Sequence, residues 1–350
     1  MTSGLRDGAP GAPQAPAREE GLSVVSVPAG ERTPVDVPAC PVCDATEARP
    51  LYRLGELPYA LVVCVACGTG RLHPMPDEEA VRSFYSAGYY GEGGRKFAGG
   101  EEWLVRLGAR LQARRIARRL RPGDRVLDVG CGRGVLLGVL ADRGIEAHGV
   151  EVSEAAAEGL DPRVRLRLAW QLAEAGYEGA SFRRIVLWHV LEHLQDPAGT
   201  LEEARRLLAA DGLLDIAVPH FGSRQARWAG PAWFHLDPPR HLWHFPLPAL
   251  RVLLERHGFR VEAVRHFSLR QDPFGWVQSA LNRLPGARRD ALYRRLLRGG
   301  KAGGGARAGL ERVAYWAGMP PALALSLLTA AARSGATIHL AARLQAEARP

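Results

Sequence analysis

The chain has 350 residues, 47% apolar and 24% charged, an ordinary globular composition with length for about two domains at ~150 residues each. Forty-six Lys and Arg against 37 Asp and Glu give a net charge of +9, which admits nucleic acid, an anionic membrane or an acidic substrate as partners. Five cysteines in so long a chain exclude a disulfide-stapled secreted module.

Residues 1–35 open rich in Pro, Gly and Ala with no apolar signal-peptide core, so a disordered tail and a cytoplasmic location are expected. Residues 36–75 carry Cys40-Pro-Val-Cys43 and Cys64-Val-Ala-Cys67. Two such pairs match a four-cysteine zinc ribbon, in which a tetrahedral metal with no open position is structural and stabilises a segment too short for its own core. Residues 76–100 read as a helical linker: a helix from Asp77 to Tyr90 with an aromatic end (Phe84, Tyr85, Tyr89, Tyr90), then a Gly-rich hinge.

From residue 101 to 345 the pattern is α/β. After a helix over Glu101–Leu120, strands are predicted near Val126–Val129, Ala147–Glu151, Val164–Arg167, Ile185–Trp188, Leu213–Val218, Arg260–Arg265 and Thr337–Ala342. Helices fill Val135–Arg143, Ser153–Gly159, Pro197–Ala209 and Pro246–His257. Residues 267–335, between the last two strands, are too many for a plain loop and predict a helical insertion. It pairs an Arg-rich stretch with an apolar one, which suits a lid over an acceptor or a peripheral membrane contact. Its apolar run, Met319–Ala332, is broken by Pro320 and Pro321 and looks too short to span a bilayer.

Val126-Leu-Asp-Val-Gly-Cys-Gly-Arg-Gly134 is a strand entering a Gly-x-Gly-x-Gly turn that opens a helix, where backbone N–H groups can meet a ligand. Asp128 precedes the first glycine, and Glu151 ends the next strand, where a carboxylate can accept from both hydroxyls of a ribose. The spacing differs from the dinucleotide fingerprint.

These residues resemble the class I S-adenosylmethionine-dependent methyltransferases over roughly Glu101–Arg343: VLDVGCGRG as first motif, GVEVS as the acidic second-strand end, then IVLWHVLEHLQDP and LLAADGLLDIAVP as the fourth and fifth strand regions. The four cysteines, GTGRLHPMP, FYSAGYY and HLDPPRHLWHF are similar to bacterial members with an N-terminal zinc ribbon, often encoded beside glycan or secondary-metabolite enzymes. The resemblance implies a Rossmann-like sheet of seven strands. In it Asp128, Gly130, Gly132 and Gly134 hold the methionyl end of S-adenosylmethionine, and Glu151 holds the ribose. Where many members have an acidic residue near the adenine, this chain has Trp170 and Gln171, expected to stack on and hydrogen-bond the base. Arg183 likewise departs from the family's usual Phe-Asp.

Methyl transfer is an in-line displacement that needs a base only where the acceptor loses a proton. Six of the eleven histidines fall beyond the fourth and fifth strands: His189, His193, His220, His235, His241 and His244. His193, His241 and His189 are the candidate bases, and His189 also a cofactor contact. A second divalent metal at His189, Glu192, His193 and His220 is a further expectation, by likeness to O-methyltransferases with Glu-x-x-Glu-His here. The acceptor is expected to be a small molecule or glycan, with O-methylation slightly favoured. The alternatives are an RNA base methyltransferase and a non-catalytic zinc-ribbon binding protein. Against RNA, Asp44, Glu47 and Glu56 outnumber Arg49 and Arg53 within the ribbon.

Overall fold

The structure is a computed structural model that describes residues 22–85, 102–154, 159–297 and 306–345. The expected hinge, Tyr89, Tyr90, most of the Ser153–Gly159 helix and residues 1–21 of the expected tail lie outside these residues.

The first sheet holds β1 (Val25–Ser26), β2 (Val35–Asp36), β3 (Glu47–Arg53), β4 (Ala60–Cys64) and β5 (Gly70–His73). Part of the tail expected to run to residue 35 is therefore folded: β1 and β2 both pair with β3, and Val27 is buried. Next, α1 (Glu78–Ser83) is capped by Asp77, whose carboxylate accepts from the Ala80 N–H. It stops short of the Tyr90 limit read from the sequence, with Phe84 and Tyr85 in a turn beyond it.

The second sheet follows α2 (Glu102–Ile116). Chain order is β6 (Arg125–Val129), α3 (Val135–Ala141), β7 (Glu146–Glu151), β8 (Arg165–Leu168), β9 (Phe182–Trp188), α4 (Pro197–Leu207), β10 (Leu208–Pro219), α5 (Arg224–Ala229), β11 (Trp243–His244), α6 (Leu247–Arg256) and β12 (Phe259–Arg265). The insertion forms α7 (Gln271–Asn282), α8 (Ala291–Leu297) and α9 (Ala306–Ala331), and the last strand is β13 (Thr337–Leu344). The seven strands lie in the order β12-β13-β10-β9-β6-β7-β8, with β13 antiparallel to both its neighbours. Strand direction of succession reverses between β6 and β9, and ligands of open α/β sheets bind outside the carboxyl ends at such a point. The β6, β9 and β10 residues Leu127, Ile185, Leu187 and Leu214 are fully buried, as strands covered on both faces require.

Two sequence readings are corrected here. The ribbon is not a separate domain, because β11, from beyond β10, adds as an edge strand to β5 through Trp243↔Arg71 and His244↔Gly70. Val42, Leu54 and Leu72 of the ribbon share one core with Trp243, Phe245 and Leu250. That sharing supplies the apolar burial that some forty residues cannot supply alone. The apolar run is also longer than expected: α9 continues through Pro320 and Pro321, and Glu311–Ala331 is long and apolar enough, by length and composition, to cross a membrane.

Candidate functional site

The carboxyl ends of β6 and β7 converge on the glycine turn. The N–H groups of Gly130 and Cys131 both donate to Val150 O, at 2.8 and 3.1 Å, which pins the turn to β7. Gly130 has φ +67, and a Cβ there would lie 2.6 Å from Val190 Cγ2. Gly132, at φ +51, meets nothing within 4 Å on its open side, so a ligand can approach the backbone there.

Glu151 is buried beside this turn. Its Oε2 accepts from Gly132 N–H and its Oε1 from Val152 N–H, both at 2.8 Å. Each oxygen keeps a further lone pair, so the carboxylate is oriented before any diol arrives. Asp128 is buried in β6, and burial, then the neighbouring Glu151 charge, pushes its carboxyl up to about 8. A cation bound beside the two carboxylates would lower it again. The donor set fits the cofactor expected from the sequence: carboxylates for an ammonium or sulfonium and for a ribose, and glycine backbone for close approach.

Trp170 and Gln171 do follow β8, where the Ala169 N–H donates to Glu151 O at 3.1 Å. One face of the Trp170 ring is covered by the Arg82 guanidinium of α1, 4.3 Å from the ring centroid. The N–H groups of Trp170 and Gln171 both donate to Glu174 Oε2, at 3.0 and 3.1 Å. The acidic group missing from the strand end thus stands a turn later, where it caps the backbone.

Across the sheet, β9 delivers a second constellation. His189 adopts φ +56 and its Nδ1–H donates to Glu192 Oε1 at 3.1 Å. A carboxylate only accepts, so that bond places the proton on Nδ1 and the lone pair on Nε2. That Nε2 has no hydrogen-bond partner. Burial of the Glu192 carboxyl is the largest influence and raises its pKa, but the His189 hydrogen bond and the charges of His189, His193 and His241 together outweigh it and hold the group down at about 2. His193 Nδ1 lies 2.8 Å from the Tyr85 hydroxyl and 3.0 Å from Arg240 O, and its ring meets His241 edge to face at 4.6 Å. His241 donates from Nδ1 to His235 O at 2.9 Å, and burial, then His193, pushes it down to about 3. Asp237, ion-paired with Arg240, stands 3.8 Å from His241 Nε2.

Of the four expected ligands of a second metal, His189 and His220 both stand outside the group that gathers, His189 Nδ1 being spent on its bond to Glu192. His220 bonds Gly335 O at 3.1 Å and faces His266, with burial lowering its pKa to about 4. The donor atoms that do gather within 4.8 Å are those of Glu192, His193 and His241. His244 serves β11 and bonds Leu236 O at 3.1 Å, a structural role. Two residues join this region without a sequence signal: Tyr85, of FYSAGYY, whose hydroxyl meets His193, and His339, which packs 4.5 Å from the Trp188 ring. No spacing marks either one, because each reaches the site across the sheet or from the ribbon side.

At the ribbon, the four sulfurs of Cys40, Cys43, Cys64 and Cys67 all lie within 4.8 Å of one another. Cys40 and Cys67 are 3.7 Å apart and Cys43 and Cys64 3.6 Å. A tetrahedron with metal–sulfur bonds of about 2.3 Å has edges of about 3.8 Å, so the set fits a four-thiolate ion. Contact with Cys67, then burial, pushes the Cys40 thiol up, while Cys67, beside Cys40 and 3.1 Å from the Thr69 hydroxyl, is held down at about 4.

Residues 103–264 match the family model described as "Methyltransferase domain". With the strand order above, this part of the chain is a class I methyltransferase domain with a Rossmann-like sheet. Among curated proteins, the chain is 38% identical over 95 residues to the ubiquinone biosynthesis O-methyltransferase of Hahella chejuensis, covering 25% of this chain and 39% of that protein. The namesake from Paracidovorax citrulli is 33% identical over 98 residues, 26% of this chain and 41% of that one. The chain thus spans about two-fifths of the length of these relatives. A solved SAM-dependent methyltransferase from Archaeoglobus fulgidus superposes with a TM-score of 0.45 at 19% identity, covering 71% of this chain and 96% of that one.

Proposed function

We propose that the chain transfers a methyl group from S-adenosylmethionine to a hydroxyl of a small-molecule or glycan acceptor. The observation that carries this reading is the Glu151 carboxylate, buried and held by Gly132 and Val152 N–H beside the buried Asp128. When bound, the cofactor supplies an electrophilic methyl on a sulfonium. Asp128 and the 130–134 turn hold its methionyl end, and Glu151 its ribose. His189 takes the acceptor proton on Nε2 while Glu192 fixes the tautomer and balances the imidazolium. The names of the curated relatives support O-methylation as the reaction. The four cysteines hold zinc in a structural role.

A second reading is favoured by the Glu192 carboxyl: its Oε2 is buried without a hydrogen-bond partner, and one of its oxygens lies within 4.8 Å of His193 and His241 ligand atoms. In that reading Glu192, His193 and His241 hold a divalent ion, distinct from the ribbon metal, that lowers the pKa of the acceptor hydroxyl. Metal analysis separates the two readings: one ion per chain supports the His189 base, and two support the ion. Turnover of His189→Ala against a panel of hydroxylated acceptors tests the first directly.

A further inference from the structure

Helix α9 wears its polarity inside out. Ser326 and Thr329 are buried and spend their hydroxyls on carbonyls of the same helix, Ala322 O at 2.7 Å and Leu325 O at 2.9 Å. Val313, Trp316, Leu325, Leu327 and Leu328 face outward, Trp316 and Leu328 with 68% and 66% of their surface exposed. From Val313 to Ala332 the sequence has no charged residue, and Arg312 and Arg333 bound it on either side. A soluble helix turns its leucines inward, so this face is shaped for an apolar partner.

Charge identifies the partner. Residues 267–335 hold eleven of the chain's Arg and Lys against Asp272, Asp290 and Glu311, a surplus of eight where the whole chain has +9. Nearly all the net positive charge is thus carried by the insertion that also exposes the apolar helix. Asp272 is buried, and Glu311 pairs with Arg295 at 3.1 Å, which leaves little acidic surface to offset it. An exposed Trp and Leu face bounded by Arg312 and Arg333, in an insertion with so large a positive surplus, matches the headgroup region of an anionic bilayer, where apolar side chains enter the acyl boundary and cations meet lipid phosphates.

The packing of the helix suits lying on such a surface, not crossing it. Its other side is packed on α7, where Val277 and Ala322 are buried together with Leu292. Its carboxyl end is tied into the fold through Ser334, whose carbonyl accepts from Arg224 N–H at 3.2 Å, and through β13. We propose that the outward face of α9 is a peripheral docking surface for anionic lipid membranes.

The test is cosedimentation of the full chain with phosphatidylcholine vesicles, with and without phosphatidylglycerol, beside Trp316→Glu and Leu328→Glu. Both positions are exposed, so the variants keep the wild-type melting temperature and cofactor affinity. The expected result is binding that requires phosphatidylglycerol, weakens with salt and falls at least tenfold in either variant. Equal behaviour of variants and wild type, or no binding to charged vesicles at low salt, overturns the proposal. So does a concentration-dependent dimer that Leu328→Glu dissolves in a chain that ignores vesicles, since that would assign the face to a second copy.

Discussion

His189 and Glu192 are joined by one hydrogen bond of 3.1 Å from Nδ1 to Oε1, with Glu192 buried and His189 Nε2 unpartnered. The bond sets the imidazole as an acceptor facing away from the carboxylate. His189→Ala is expected to lower kcat by roughly 10²–10⁴-fold, the usual worth of a positioned base. Cofactor affinity should move little. Glu192→Gln should cost less in kcat and shift its pH profile, while His241→Ala should cost least. Steady-state kinetics and calorimetry on the three variants check this order.

Asp128 gives the cofactor site a pH dependence. Its carboxyl is pushed up to about 8 when no cation is bound, so binding a cationic cofactor must first release a proton. Affinity for S-adenosylmethionine should climb from pH 6 to about 8 and then level, with proton release visible as a buffer-dependent heat. The unliganded fold binds that proton more tightly than the unfolded chain, whose carboxyl titrates near its ordinary value. This group's contribution to stability is therefore full in acid and lost as pH rises towards 8. Asp128→Asn should flatten both dependences.

Gly130 is confined twice, by φ +67 and by Val190 Cγ2 at 2.6 Å from a built Cβ. Gly130→Ala should lose cofactor binding and lower the melting temperature. Adding Val190→Ala removes the clash and leaves the left-handed backbone cost of about 1–2 kcal/mol. Partial recovery in the double variant, read by thermal denaturation, is the expected outcome.

Because β11 completes the ribbon sheet, a metal held by the four cysteines would support the segment from His235 to His244 as well. Cys64→Ser, or a strong zinc chelator, should lower the melting temperature and reduce turnover at least tenfold while cofactor binding to the 130–134 turn largely survives. Elemental analysis of the intact chain is expected to give one zinc.

All seven strands of the large sheet were legible in the sequence, because β-branched runs such as Ile185-Val186-Leu187 alternate with helical patterns. The placing of Asp128 and Glu151 beside one glycine turn, and of the four cysteines beside one another, was legible as well, since each group sits within short spacings. What escaped was long-range. Nothing near Trp243 announces that it will pair with Arg71, and pairing across so many residues leaves no periodic trace. The choice of His241 over His220 as neighbour of Glu192 is likewise made by where the chain returns after β10. Helix α9 was read short because Pro320 and Pro321 usually stop a helix, whereas here the helix runs through them.

The proposed chemistry stands on a working S-adenosylmethionine site built on Glu151. The direct measurement is calorimetric titration of the intact, metal-loaded chain with S-adenosylhomocysteine beside Glu151→Ala. Binding at about micromolar strength in the wild type, weakened roughly a hundredfold by loss of the charged acceptor in a variant that still melts cooperatively, is the predicted result. A folded wild-type chain that takes up none of the ligand would contradict the account.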